Sequence, residues 1–135
     1  MIDRRLKTLI LVYLWGALFE DITIFVLAWA APDVWFRVFH RSVPVGLEVA
    51  LLRRSGGQWL AFALGQALTL WQWKKRPEWL AVAAGIRLSD LFTDISYLIA
   101  APALTRFGQL LFPIFPILNL VGVIILLKGY RQATS

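Results

Sequence analysis

The chain has 135 residues, of which 59% are hydrophobic and 16% are charged, and its mean hydropathy is +0.68. A soluble domain has about 45–50% apolar and about 25% charged residues, so this composition excludes an ordinary soluble domain. The absence of cysteine excludes disulfides and thiolate chemistry, and a single histidine argues against a multi-histidine metal or haem site. The net charge of +6 lies in short runs that flank apolar stretches, which is typical of membrane proteins and does not indicate nucleic-acid binding.

Four apolar segments approach the length of about 20 residues that a helix needs to cross the hydrocarbon core. They are predicted at about 9–30, 57–73, 79–101 and 107–127. The first is too long for the apolar part of a signal peptide, so we interpret it as a retained span. The predicted fold class is all-α, an integral membrane four-helix bundle that forms a single transmembrane domain over 1–135.

An interfacial segment is predicted between the first two spans, at about 33–53, where apolar and basic residues alternate. It should form one or two short helices, broken near Pro44 and Gly46, or else an ordinary loop with aromatic anchors. His40 is a lone histidine among arginines and is interpreted as a headgroup contact. The predicted interfacial anchors are Trp35, Arg37, His40 and Arg41.

Basic residues predict the orientation of the chain. They are more numerous near the two termini and in the turn "KKRP" than in the loops that would lie on the other side. The positive-inside rule therefore predicts that both termini are cytoplasmic, with the protein in the cell (inner) membrane.

Every predicted span carries polar residues near its middle. These residues are Glu20, Asp21, Gln66, Arg87, Asp90, Asp94 and Asn119. Successive helical residues advance by about 100°, so Arg87, Asp90 and Asp94 share one face, which Tyr97 also joins. A charge at the bilayer centre costs about 2.5–3.5 kcal/mol, so these groups should face the bundle interior and find partners. We predict an ion pair between Arg87 and either Glu20 or Asp21.

The predicted polar layer has two interpretations. Four carboxyl groups share one arginine, so some should be protonated, or a cation or a partner chain's basic residue should balance them. The layer is therefore either a proton, cation or ligand-headgroup site, or a polar network that holds the helices together. Pro113 and Pro116 in "LFPIFPILN" predict a kinked fourth span, either as simple curvature or as a gap beside Asn119.

The order of features resembles the small four-helix DoxX-like membrane proteins: a first span with an acidic residue, "AAP", a loop, a second span, a basic turn, and "GIRLSD" in the third span. Members of that group are often named as small subunits linked to quinone-reducing systems. The resemblance implies a small bundle that works with partners. The segment "YLWGALFED" is also similar to the small multidrug transporters, which carry a glutamate in the first span, although its spacing differs from theirs.

Three functions fit these features. The first is a non-catalytic accessory or scaffold subunit of a larger membrane complex, whose partners are membrane lipids and either other subunits or further copies of itself. The second is a proton-coupled small-molecule transporter that uses the carboxyls of the polar layer. The third is an intramembrane enzyme or binding protein for a lipid or isoprenoid, which predicts a lipid-sized pocket touching Asp90 or Asp94. The sequence leaves any cofactor unknown, and it predicts no metal site.

Overall fold

The computed structural model describes residues 2–100 and 103–135, and within these two ranges it contains helices and no strand. The helices are α1 (Arg4–Ala30), α2 (Pro32–Phe39), α3 (Gly46–Gln72), α4 (Glu78–Ala100), α5 (Arg106–Leu111) and α6 (Ile114–Thr134). Just after α2, His40 forms an isolated antiparallel bridge with Leu104, which ties the end of α2 to the start of α5. The all-helical prediction is confirmed for the described residues.

The four long helices pack as two antiparallel pairs, α1 with α3 and α4 with α6. In the first pair, Gly56 meets Trp29 near one end and Gln66 meets Asp21 farther along. Contacts of α3 with α4 and of α1 with α6 join the two pairs. This arrangement brings the middles of all four long helices to one level.

Two apolar clusters occupy opposite ends of the molecule. One packs the start of α1 against the start of α4 and the end of α6, and its members include Ile10, Leu14, Leu80 and Leu126. The other is aromatic, lies where α2 and α5 cross the bundle, and includes Trp35, Phe36, Phe39 and Phe112. The polar layer lies between them.

Glycines let α1 and α6 approach closely. A Cβ atom at Gly122 would collide with the ring of Tyr13, and one at Gly129 would lie 2.5 Å from the Cδ1 atom of Ile10. Any larger residue at these positions would force the helices apart or displace the facing side chain.

Two helical stretches, Arg4–Ala30 and Arg106–Thr134, are long and apolar enough to cross a membrane. The second stretch consists of α5, α6 and the short turn between them. The helix α4 differs from both because it carries Arg87, Asp90 and Asp94 in its middle. By length and composition, these two stretches suit a location in a membrane.

The second long helix begins before the predicted second span. The segment 33–53 was expected to precede a span at 57–73, but α3 runs without interruption from Gly46 to Gln72. The Glu48 side chain accepts a hydrogen bond from the Val45 N–H at 2.9 Å, which starts this helix early. The predicted break near Pro44 and Gly46 is present, and α2 is the single short helix before it.

The fourth predicted span, 107–127, is split and extended in the structure. The helix breaks between α5 and α6 at Pro113, as its proline predicted, and α6 continues to Thr134. Pro116 lies in the first turn of α6, where the N–H group that proline lacks would have no partner within the helix. The third span was predicted to end at residue 101, which lies outside the described residues, and α4 is described as far as Ala100.

Candidate functional site

A buried ion pair forms the centre of the polar layer. The Arg87 Nη2 atom donates to Asp21 Oδ2 at 2.8 Å, and the two side chains are 1% and 0% exposed. The same oxygen accepts a hydrogen bond from Gln66 Nε2 at 3.0 Å. The guanidinium carbon of Arg87 also lies 5.5 Å from the ring centre of Phe62. The predicted pairing of Arg87 is therefore confirmed for Asp21, and it links the α1–α3 pair to α4.

Asn119 of α6 holds the two aspartates of α4. Its Nδ2 atom donates to Asp90 Oδ2 at 3.1 Å and to Asp94 Oδ2 at 2.8 Å. Its Oδ1 atom accepts a hydrogen bond from Arg87 Nη1 at 3.3 Å, and Arg87 Nη1 lies 3.6 Å from Asp90 Oδ2. A single amide thus bridges the arginine to both carboxyl groups and ties α6 to α4.

Several buried polar atoms of the layer have no hydrogen-bond partner among the described residues. These atoms are Asp21 Oδ1, Gln66 Oε1 and Arg87 Nε. Buried polar groups in proteins are nearly always paired. The layer is therefore not a closed network in which every group is satisfied by another side chain.

Glu20 and Asp21 point in different directions although they are adjacent in sequence. Asp21 is fully buried against α3 and α4, whereas Glu20 is half-buried and lines a cavity. Adjacent residues of a helix point about 100° apart around its axis. Asp21 therefore reaches the ion pair, whereas Glu20 reaches the cavity. The alternative prediction, an ion pair of Arg87 with Glu20, is wrong.

The cavity has a volume of about 510 Å³ and lies between the polar layer and the aromatic cluster. Three of the carboxyl groups that line it lie at the end that adjoins the polar layer, and they belong to Glu20, Asp90 and Asp94. Its aromatic walls include Trp35, Trp59, Tyr97, Phe112 and Phe115. Ser42, Glu48 and Gln58 line it on the side that faces outward. The cavity thus combines acidic and aromatic surfaces in one space that opens toward the outside of the bundle.

His40, which the sequence interpreted as a headgroup contact, lines this cavity with its side chain turned inward. The residue is 9% exposed, and its Nε2 atom is hydrogen-bonded to the hydroxyl group of Tyr97. Its ring also packs against Phe36 and Phe112. The backbone is extended at this position and pairs with Leu104, which turns the imidazole inward.

The other predicted anchors divide into two groups. Trp35 is only 6% exposed and packs against Phe39 and Trp59 at ring-centre distances of 4.8 and 5.4 Å, so it faces the bundle and not its outer surface. Arg37 and Arg41 point outward as predicted. Because α2 is amphipathic, its tryptophan and phenylalanines face the bundle and its charges face away.

Sequence reasoning missed the aromatic wall of the site. The segment "WFRVFH" places aromatic rings at positions 35, 36, 39 and 40, which is the spacing of one helical face. This pattern was the available signal that α2 packs onto the bundle with its rings inward.

Comparison of the chain with protein-family models, with curated proteins and with solved structures found no match. Among residues 2–100 and 103–135, no group of three or more histidines, aspartates and glutamates is arranged to hold a metal ion. The interpretation of the site therefore depends on its own geometry.

Proposed function

We propose that the protein is an integral membrane four-helix bundle that binds a small amphipathic molecule, of the size of a lipid or isoprenoid fragment, in its internal cavity. The observation that carries this proposal is the cavity of about 510 Å³ between aromatic walls and the polar layer. Binding sites for small ligands have volumes of about 300–1,000 Å³ and combine mostly apolar walls with a few placed polar groups.

The distribution of side chains supports the membrane part of the proposal. Large apolar residues are exposed on the outer faces of the helices, and Phe19, Trp71 and Ile99 are 75%, 75% and 83% exposed. Charged and amide side chains are buried inside instead, as in Asp21 and Arg87. This is the arrangement expected when lipid surrounds the bundle and polar groups must find partners within it. The proposed location is the inner membrane, with both termini cytoplasmic.

The transporter alternative has one observation in its favour. Glu20 and Asp94 both line the cavity, so carboxyl groups that exchange protons would contact a bound cargo directly. Transport also needs access from both sides of the membrane, and the apolar cluster around Ile10 and Leu80 fills the opposite end of the bundle. Binding alone therefore fits the geometry better than transport. The accessory-subunit role stays a prediction.

The test is photo-crosslinking of the protein in lipid nanodiscs with a neutral diazirine-bearing alkyl alcohol. We expect the probe to label peptides that line the cavity. Thr93→Phe should abolish this labelling by filling the cavity, because Thr93 lines it. Ser89→Phe is the matched control, because Ser89 is exposed one turn earlier on the same helix and does not line the cavity.

Both variants should keep the helical circular-dichroism spectrum of the parent protein. Labelling confined to the outer faces of the helices, or labelling that Thr93→Phe leaves unchanged, would show that the cavity does not bind the probe.

A further inference from the structure

We infer that the ligand of this cavity carries a positive charge, as in an amine or quaternary ammonium group attached to an apolar body. The inference rests on the proposed binding function and specifies the chemical class of the ligand. It is carried by the charges of the cavity lining, by the pairing of the nearest arginine, and by the geometry of the aromatic walls.

The cavity lining is acidic within a basic protein. The chain has 14 lysines and arginines against 8 aspartates and glutamates, but none of the described residues that line the cavity is a lysine or an arginine. Four acidic residues line it: Glu20, Glu48, Asp90 and Asp94. An anionic headgroup would find no lysine or arginine among these lining residues and would be repelled by each carboxylate, whereas a cation would be attracted to each carboxylate.

The nearest arginine is already engaged, and the one histidine of the lining, His40, is hydrogen-bonded to Tyr97. Arg87 makes its short contact, at 2.8 Å, with Asp21, which does not line the cavity. The distance from Arg87 to Asp90 is 3.6 Å, and no salt bridge joins a described basic residue to Glu20 or Asp94. Asn119 donates hydrogen bonds to Asp90 and Asp94, but an amide contributes no net charge. A cationic ligand group would supply the charge that this end of the cavity lacks.

The aromatic walls suit the same kind of group. The rings of Trp35 and Trp59 lie 5.4 Å apart, and Tyr97 approaches Phe112 edge-on with ring centres 5.3 Å apart. A cation within about 6 Å of a tryptophan or tyrosine face is attracted by the ring, and quaternary ammonium groups are recognised by such sets of rings. The apolar body of the ligand would contact the remaining rings, such as Phe115.

The test is competition against the neutral diazirine alcohol by three compounds that share one naphthylalkyl body. The first ends in trimethylammonium, the second in the tert-butyl group of the same shape, and the third in a carboxylate. We expect the ammonium compound to displace the probe at a concentration about tenfold lower than the tert-butyl compound, which corresponds to about 1.4 kcal/mol. The carboxylate should be the weakest competitor.

Variants of the acidic residues test whether the lining causes the preference for the ammonium compound. Glu20→Gln and Asp94→Asn should each reduce the advantage of the ammonium compound over its tert-butyl counterpart, while labelling by the neutral probe shows that the fold is kept. Asp33→Asn is the matched control, because Asp33 is exposed on α2 and does not line the cavity. The Asp33→Asn variant should prefer the ammonium compound over the tert-butyl compound as strongly as the parent protein does.

The outcomes separate the two proposals. If the neutral probe labels the cavity but the tert-butyl compound or the carboxylate competes as well as the ammonium compound, the inference on charge is wrong and the binding function stands. If the neutral probe does not label the cavity at all, the binding function itself is wrong.

Discussion

Asp21 of α1 and Arg87 of α4, which are 66 residues apart in the chain, form a buried ion pair with 2.8 Å between Oδ2 and Nη2. Neither side chain has access to water, so each group depends on the other for compensation of its charge. The pair therefore fixes how the α1–α3 pair docks against α4, and it is the contact whose loss should affect the fold most.

Removal of the arginine should destabilise the bundle strongly. Arg87→Met leaves the Asp21 carboxylate buried without a cation, and loss of one partner of a buried pair costs about 3–5 kcal/mol. The free energy of unfolding, measured in one detergent by circular dichroism during denaturant titration, checks this expectation. Arg37→Ala is the control, because Arg37 lies 3.9 Å from Asp33 with its side chain 79% exposed, and its loss should have no measurable effect.

The double variant Asp21→Asn with Arg87→Met removes both charges and should recover part of the lost stability. Equal stability of Arg87→Met and the parent protein would contradict the role given to this pair.

Loss of the Asn119 amide should weaken the contact between α4 and α6. Asn119→Leu removes the hydrogen bonds to Asp90 and Asp94, and each hydrogen bond to a charged group contributes about 1.5–3 kcal/mol. We expect a clear fall in the denaturation midpoint, measured in the same detergent. Leu118→Ile, at an exposed neighbouring position, should leave the midpoint in place. A parent-like midpoint for Asn119→Leu would mean that these hydrogen bonds add no net stability.

An added methyl group at the contact of α1 with α6 should be destabilising. The Cβ atom of Gly122→Ala would collide with the Tyr13 ring, and overpacking of this kind costs about 1–3 kcal/mol. Gly16→Ala is the matched control, because a Cβ atom there meets nothing within 4 Å. Tyr13→Leu should rescue Gly122→Ala by removing the ring. If Gly122→Ala and Gly16→Ala unfold at the same denaturant concentration, the close approach of the two helices is not tight.

The two tryptophans Trp35 and Trp71 should respond very differently to truncation. Trp35→Ala removes a ring that is 6% exposed and packed in the aromatic cluster, and such losses cost about 3–5 kcal/mol. Trp71→Ala removes a ring that is 75% exposed, so the free energy of unfolding should change little. Denaturation of both variants beside the parent protein measures the difference. A larger effect at Trp71 would indicate that Trp35 is not a core residue.

The sequence predicted the helices and the level of the polar residues well, because both depend on local patterns. Apolar runs of sufficient length marked the long helices, and Pro113 marked the break between α5 and α6. The spacing of Arg87, Asp90 and Asp94 placed these three residues on one face of α4. Helix ends were less predictable, because the early start of α3 at Gly46 depends on the hydrogen bond between Glu48 and Val45.

By itself, the sequence determined that the chain is helical and that one arginine must be shared among several carboxyl groups. Both conclusions follow from the composition of the apolar segments and from the periodicity of the α-helix. Only the tertiary structure decided that Asp21 rather than Glu20 pairs with Arg87, and that Trp35 and His40 turn inward to line a cavity. These outcomes depend on the rotation of each helix about its axis and on the docking of α2. Contacts between residues that are distant in the chain determine both the rotation of the helices and the docking of α2.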